Sequence, residues 1–125
     1  MILQICRYSI AFVWIYQGLV PKLLGVHPDE LQMGLALGLS APQAQLLAYV
    51  GGVMEVLLGV VVLVFYQHRL PYIATIGGLV GLWLLTVIFA PQFVVAAFNS
   101  TTVNVAVCAL AGVALVELQQ TRRSA

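Results

Sequence analysis

Residues 44–66 read AQLLAYVGGVMEVLLGVVVLVFY, with Glu55 the one charge among them. At ~1.5 Å per residue a helix over this stretch exceeds the ~30 Å of a bilayer's hydrocarbon core, so the sequence predicts a membrane-spanning helix from Ala44 to Tyr66. Ser40-Ala41-Pro42-Gln43 just before it reads as a capping box with proline in the first turn. Turning the helix by ~100° per residue gathers Ala48, Gly51, Gly52, Glu55, Gly59 and Val62 on one stripe. Glu55 therefore sits among glycines, where another backbone can approach, and not toward lipid.

Working outward, three more apolar stretches of similar length follow the same logic: Ile2 to Val20, Tyr72 to Ala90 and Thr101 to Leu118. Pro21 closes the first, Gln67-His68-Arg69-Leu70-Pro71 is a tight polar hairpin, and Asn99, Ser100 or Thr101 can cap the last. The chain has 125 residues, of which five are basic and four acidic. A soluble chain of this length would carry roughly 31 charged residues. This balance excludes a disordered chain, a disulfide-stapled secreted module and a nucleic-acid binder. The expectation is an all-α, polytopic membrane protein: one domain over residues 1–125, folded as a four-helix transmembrane bundle. The first stretch has no basic residue before Arg7 and no A-x-A-like cleavage site, so it reads as a retained helix and not a signal peptide.

Arg69, Arg122 and Arg123, with Arg7 close by, outweigh Lys22 on the opposite side, which predicts a plasma-membrane (inner-membrane) protein with both termini cytoplasmic. In the long first outer loop, His27-Pro28-Asp29-Glu30 reads as a helix start, followed by Leu31, Leu35 and Leu39 at spacing four. The expectation is a short interfacial helix that caps the bundle, with a substrate lid as the alternative. The Asn99-Ser100-Thr101 sequon abuts a helix and is taken as chance.

Ionisable groups at membrane depth are expensive unless paired or solvated, and Arg7 and Glu55 are the two that qualify. Arg7, Ala11, Trp14 and Gly18 share one side of the first helix, with Lys22 about 60° around at ~100° per residue. If the helix ends are level, Glu55 lies ~9 Å along the axis from Arg7 and ~14 Å from Lys22 at a rise of ~1.5 Å. The expected structural ion pair is thus Arg7 with Glu55, direct or through one water. The third span places Ala74, Gly77, Gly78 and Gly81 on a close-packing face. The fourth places Asn104 near its outer end and Cys108 deeper, both facing the interior. Lys22, Glu55 and Asn104 then frame an outward-facing polar cleft as ligand-binding residues.

Other chemistry lacks its residues. Cys6 and Cys108 start from opposite halves of the bilayer, too far apart to act as a dithiol. His27 and His68 lie in loops on opposite sides, unsuited to an intramembrane haem. No metal-ligand cluster, phosphate loop or nucleophile with an adjacent base is visible, so the expectation is no catalytic residue, no metal and no intrinsic cofactor. A quinone or a lipid is the ligand such a cleft would take.

Arg7, Gly18 and Lys22 in the arrangement R-x10-G-x3-K, then His27-Pro28-Asp29-Glu30, Glu55-Val56-Leu57-Leu58-Gly59, Phe98-Asn99 and Asn104, run in an order that resembles the DoxX-like family of small four-helix membrane proteins. Val103 stands where many members of the wider family carry a basic residue. The resemblance implies a compact bundle of four membrane helices, associated in some relatives with oxidoreductase complexes. The expected role is an accessory subunit, not a stand-alone enzyme, binding a small hydrophobic or quinone-like molecule or a redox partner. The alternatives are a small proton-coupled transporter using Glu55 and a purely structural subunit; a homo-oligomer is compatible with each.

Overall fold

The computed structural model describes residues 1–97 and 99–124, so Phe98 of the Phe98-Asn99 pair lies outside the described residues. The chain is all-α: α1 Ile2–Gly18, α2 Pro28–Ala36, α3 Ala41–Val64, α4 Leu70–Phe89 and α5 Ser100–Arg123. A π-helical turn, Leu19–Leu23, continues α1, and a short 3-10 turn, Pro91–Phe93, follows α4. Helices α3, α4 and α5 are each long and apolar enough to cross a membrane, and α1 with its π turn adds a fourth if the bent pair it makes with α2 counts as one span.

Local chemistry accounts for the boundaries. The Ser40 backbone N–H and hydroxyl both donate to Gln43 Oε1 at 3.0 Å, so α3 starts at Ala41, three residues before the apolar run. The Thr102 N–H donates to Asn99 Oδ1 at 3.3 Å, which selects Asn99 among the three caps considered for α5. That helix continues through polar Gln119 to Arg123, past the expected end at Leu118, with Arg122 and Arg123 favourably placed at its negative C-terminal pole.

Helix α1 does not stop cleanly at Pro21. Proline has no N–H to give, and the ladder widens around it: the Leu24 N–H reaches back five residues to the Leu19 carbonyl at 2.8 Å, and His27 N–H to Pro21 at 2.8 Å. The chain then turns by 86° into α2. That helix begins at Pro28 with His27 as N-cap and ends at Ala36, where Gly38 takes φ +83°, a left-handed conformation that glycine adopts freely. Leu39 therefore falls outside the helix face on which the spacing had placed it.

Helices α3, α1, α5 and α4 make a ring, the α3–α4 seam being the loosest, and α2 lies on α3. The α1–α3 crossing is the tightest contact. A Cβ on Gly18 would come within 2.5 Å of the Gly52 carbonyl oxygen, and one on Gly52 within 2.8 Å of the Gly18 carbonyl oxygen. Gly59 lies against Ala11 and Ile15 of α1. Cys6, Ile10, Trp14, Val62, Tyr72 and Leu79 meet Val107, Ala111, Ala114 and Leu118 in the core. Of the α4 glycines only Gly78 faces a neighbour, the Trp14 ring; among the described residues a Cβ on Gly77 or Gly81 would meet nothing within 4 Å. The close-packing face expected there is thus not used within the chain. Large apolar side chains including Phe12, Met54, Ile73, Ile88 and Val105 point outward, as they do where the surrounding solvent is lipid.

Candidate functional site

The loose α3–α4 seam opens into a cavity of about 300 Å³, reaching from Trp14 on α1 across Ala48 and Gly51 of α3 and Leu79 and Leu82 of α4 to Val103 and Asn104 of α5. Met33, Gly34 and Leu37, from α2 and the turn after it, cover one end. Gly34 allows that cover by packing against Ala44 at the start of α3, leaving no room for a side chain. The wall is mostly apolar, and the polar groups in it are few: Gln17, Lys22, Glu30, Glu55, Thr86, Ser100 and Asn104.

Lys22 Nζ donates to Glu55 Oε1 at 2.5 Å and stands 3.8 Å from Glu30 Oε1. Lys22 and Glu55 are both about nine-tenths buried at their side chains, and Glu30 is more open. Burial pushes the Glu30 carboxyl above its ordinary range; Lys22 pulls it down, and Glu55 pushes it up further. Glu55 Oε2 is buried and has no hydrogen-bond partner among the described residues. Lys22, Glu55 and Asn104, the three residues expected to frame one cleft, all line this cavity.

The expected Arg7–Glu55 pair is not formed. The Arg7 guanidinium lies 4.1 Å over the Tyr66 ring and 5.0 Å from Tyr8, and it donates to Gln4 Oε1 at 3.1 Å. The reason is helix register. Gly18 lies level with Gly52, and Ala11 with Ile15 lies against Gly59, so Glu55 is near the level of Ile15, about eight residues or ~12 Å above Arg7. The π turn meanwhile holds Lys22 Cβ beside Gly52, less than one turn of α3 from Glu55. Assuming level helix ends chose the wrong cation.

Sequence reasoning missed four polar cavity residues: Glu30 was read only as part of a helix start and Ser100 only as a possible helix cap, while Thr86 and Gln17 were not singled out. Gln17 precedes Gly18 by one residue, and that adjacency to the close crossing was the available signal. Trp14 is buried, its Nε1–H donates to Thr75 Oγ1 at 3.1 Å, and it forms part of the cavity wall. Cys6 and Cys108 are both free thiols. Among the described residues no three His, Cys, Asp or Glu side chains gather as metal ligands.

Apolar helices facing outward around a small polar-ended cavity define a helical membrane protein. The DoxX-like family model matches residues 11–112, and the chain belongs to that family. No curated protein and no solved structure matches it.

Proposed function

We propose that the protein is a non-catalytic membrane subunit that binds a small, largely apolar, quinone-like molecule between α1, α3, α4 and α5. The observation that carries this reading is the cavity itself: about 300 Å³, walled by aliphatic and aromatic side chains, with Lys22, Glu55 and Asn104 as convergent polar groups. That is the composition of small-molecule sites in general, and a volume at the low end of their range. The whole chain acts as one domain of four spans, α1 with its π turn being the first and α2 lying in the outer interface as a cover. The excess of Arg69, Arg122 and Arg123 over Lys22 supports a plasma (inner) membrane location with both termini cytoplasmic. A redox protein of the same membrane is the partner such a subunit would serve, and a second copy of the chain is compatible with it.

Ligand binding stabilises the state that binds, so added short-chain quinones raise the melting temperature of the purified protein. No rise at saturating quinone removes this reading.

A second reading, a proton-coupled transporter, is favoured by the buried unpartnered oxygen of Glu55, a carboxylate at membrane depth. Proton-driven flux in liposomes that disappears in Glu55→Gln would establish it over the first.

A further inference from the structure

Resting on the cavity reading above, we infer that the ligand presents a hydrogen-bond donor, a hydroxyl or an ammonium, to Glu55, and that a matched molecule without the donor binds less tightly.

The inventory of donors and acceptors in the wall carries this. Several of its donors are engaged within the protein. Lys22 is held between two carboxylates, at 2.5 Å from Glu55 and 3.8 Å from Glu30. The Thr86 hydroxyl gives its hydrogen to the Leu82 carbonyl at 2.9 Å, and the Trp14 Nε1–H goes to Thr75 at 3.1 Å. Two acceptors stand open beside them. Thr86 Oγ1 keeps its lone pairs, and Glu55 Oε2 is buried without a partner beside an oxygen already served by Lys22. Gln17, Ser100 and Asn104 carry both donors and acceptors, so the carboxylate oxygen of Glu55, an acceptor only, is the group in the wall that a ligand donor alone can serve.

Charge points the same way. One ammonium faces two carboxylates, so the cluster is short of positive charge when both are ionised. A buried carboxylate oxygen lacking a donor is costly, and a ligand hydroxyl or ammonium relieves that cost on binding while a carbonyl or ether oxygen does not. Glu55 lines the cavity, so its carboxylate is the group that a ligand donor meets there.

Matched probes test this on the full chain in lipid nanodiscs, by calorimetric titration against empty nanodiscs to remove membrane partitioning. Para-octylphenol is compared with its methyl ether, para-octylanisole, which differs by the loss of the donor, and with para-octylbenzylamine, which brings a charged one. The phenol or the amine is expected to bind at least about tenfold more tightly than the ether, the ratio for one hydrogen bond to a charged group. A tighter amine assigns the effect to charge, and a tighter phenol assigns it to a neutral donor. Equal affinities for phenol, amine and ether, each above the empty-nanodisc background, overturn the donor inference and leave the cavity reading standing. No binding of any probe above that background overturns both. The comparison is made on the unsubstituted protein, so it does not depend on a Glu55 variant folding.

Discussion

Lys22 Nζ lies 2.5 Å from Glu55 Oε1, a contact spanning 33 residues of chain that joins the π turn after α1 to the middle of α3. Both side chains are about nine-tenths buried, so each charge depends on the other for the solvation that water would supply. Lys22→Met strands the Glu55 carboxylate and is expected to cost about 3 kcal/mol, whereas Glu55→Gln leaves Lys22 its second partner, Glu30 at 3.8 Å, and costs less. The double variant, which removes both charges, recovers most of that loss. Denaturant titrations in detergent read this directly; a double variant no more stable than either single one contradicts it.

Arg7 supplies the control for that coupling. Its guanidinium is occupied by Tyr66, Tyr8 and Gln4, well away from the level of Glu55. In a double-mutant cycle Arg7→Gln and Glu55→Gln are therefore expected to add within about 0.5 kcal/mol, the usual limit for sites without shared partners. A coupling well above that, comparable with the one between Lys22 and Glu55, refutes the register described for α1 and α3.

Gly51 and Gly52 are adjacent in sequence and opposite in consequence. A Cβ at position 52 would meet the Gly18 carbonyl and Lys22, whereas at position 51 it would meet nothing within 4 Å. Gly52→Ala is expected to destabilise by about 1–3 kcal/mol, as overpacking does. Gly51→Ala is expected to be neutral or to gain up to about 1 kcal/mol in helix propensity. Thermal melts of the two variants in one detergent check the difference in sign.

Trp14→Phe keeps an aromatic ring against Gly78 and removes the donor to Thr75, whose side chain is fully buried. The expected loss is about 1 kcal/mol. Thr75→Val in the Trp14→Phe background should restore part of it, because the orphaned hydroxyl is then also gone; a further drop in melting temperature would count against the bond.

Glu30 gives the fold a pH dependence of definite sign. Its carboxyl is raised above the usual 4.5, so the native state holds this proton more firmly than the unfolded chain does. The stability this contributes is complete below about pH 4.5 and declines as pH rises through the folded-state value. Relative to Glu30→Gln, the wild-type protein is expected to lose melting temperature as pH rises above about 4.5. Parallel curves for the two proteins across that window would remove Glu30 from the account.

Much of the fold was legible because hydrocarbon imposes a coarse rule: the long runs of 44–66, 72–90 and 101–118 had to be helices, and the Ser40 and Asn99 caps could be read from local chemistry. Helix register was not legible. It is set by where two backbones approach most closely, at Gly18 and Gly52, and a sequence shows that small residues are present without showing which ones meet. Glycines 77 and 81 of α4 carry the same signature and pack on nothing within the chain. The ion pair depended on that register, which is why Glu55 was placed among cations yet matched to the wrong one. Glu30 was hidden for a related reason: the π turn at Pro21 and the 86° bend fold α2 back over Lys22, and neither follows from hydropathy.

The central claim is that the hollow beside Lys22 and Glu55 holds a small molecule in the membrane. Gly51 lines it with open space at its Cβ, so Gly51→Phe fills the hollow from α3 without disturbing the α1 crossing. Native mass spectrometry of the two proteins, released from mild detergent with matching helix content, is the most direct measurement. The account predicts a bound small-molecule mass on the wild-type chain that is absent from Gly51→Phe. The same adduct on both proteins, or bare protein in both, would contradict it.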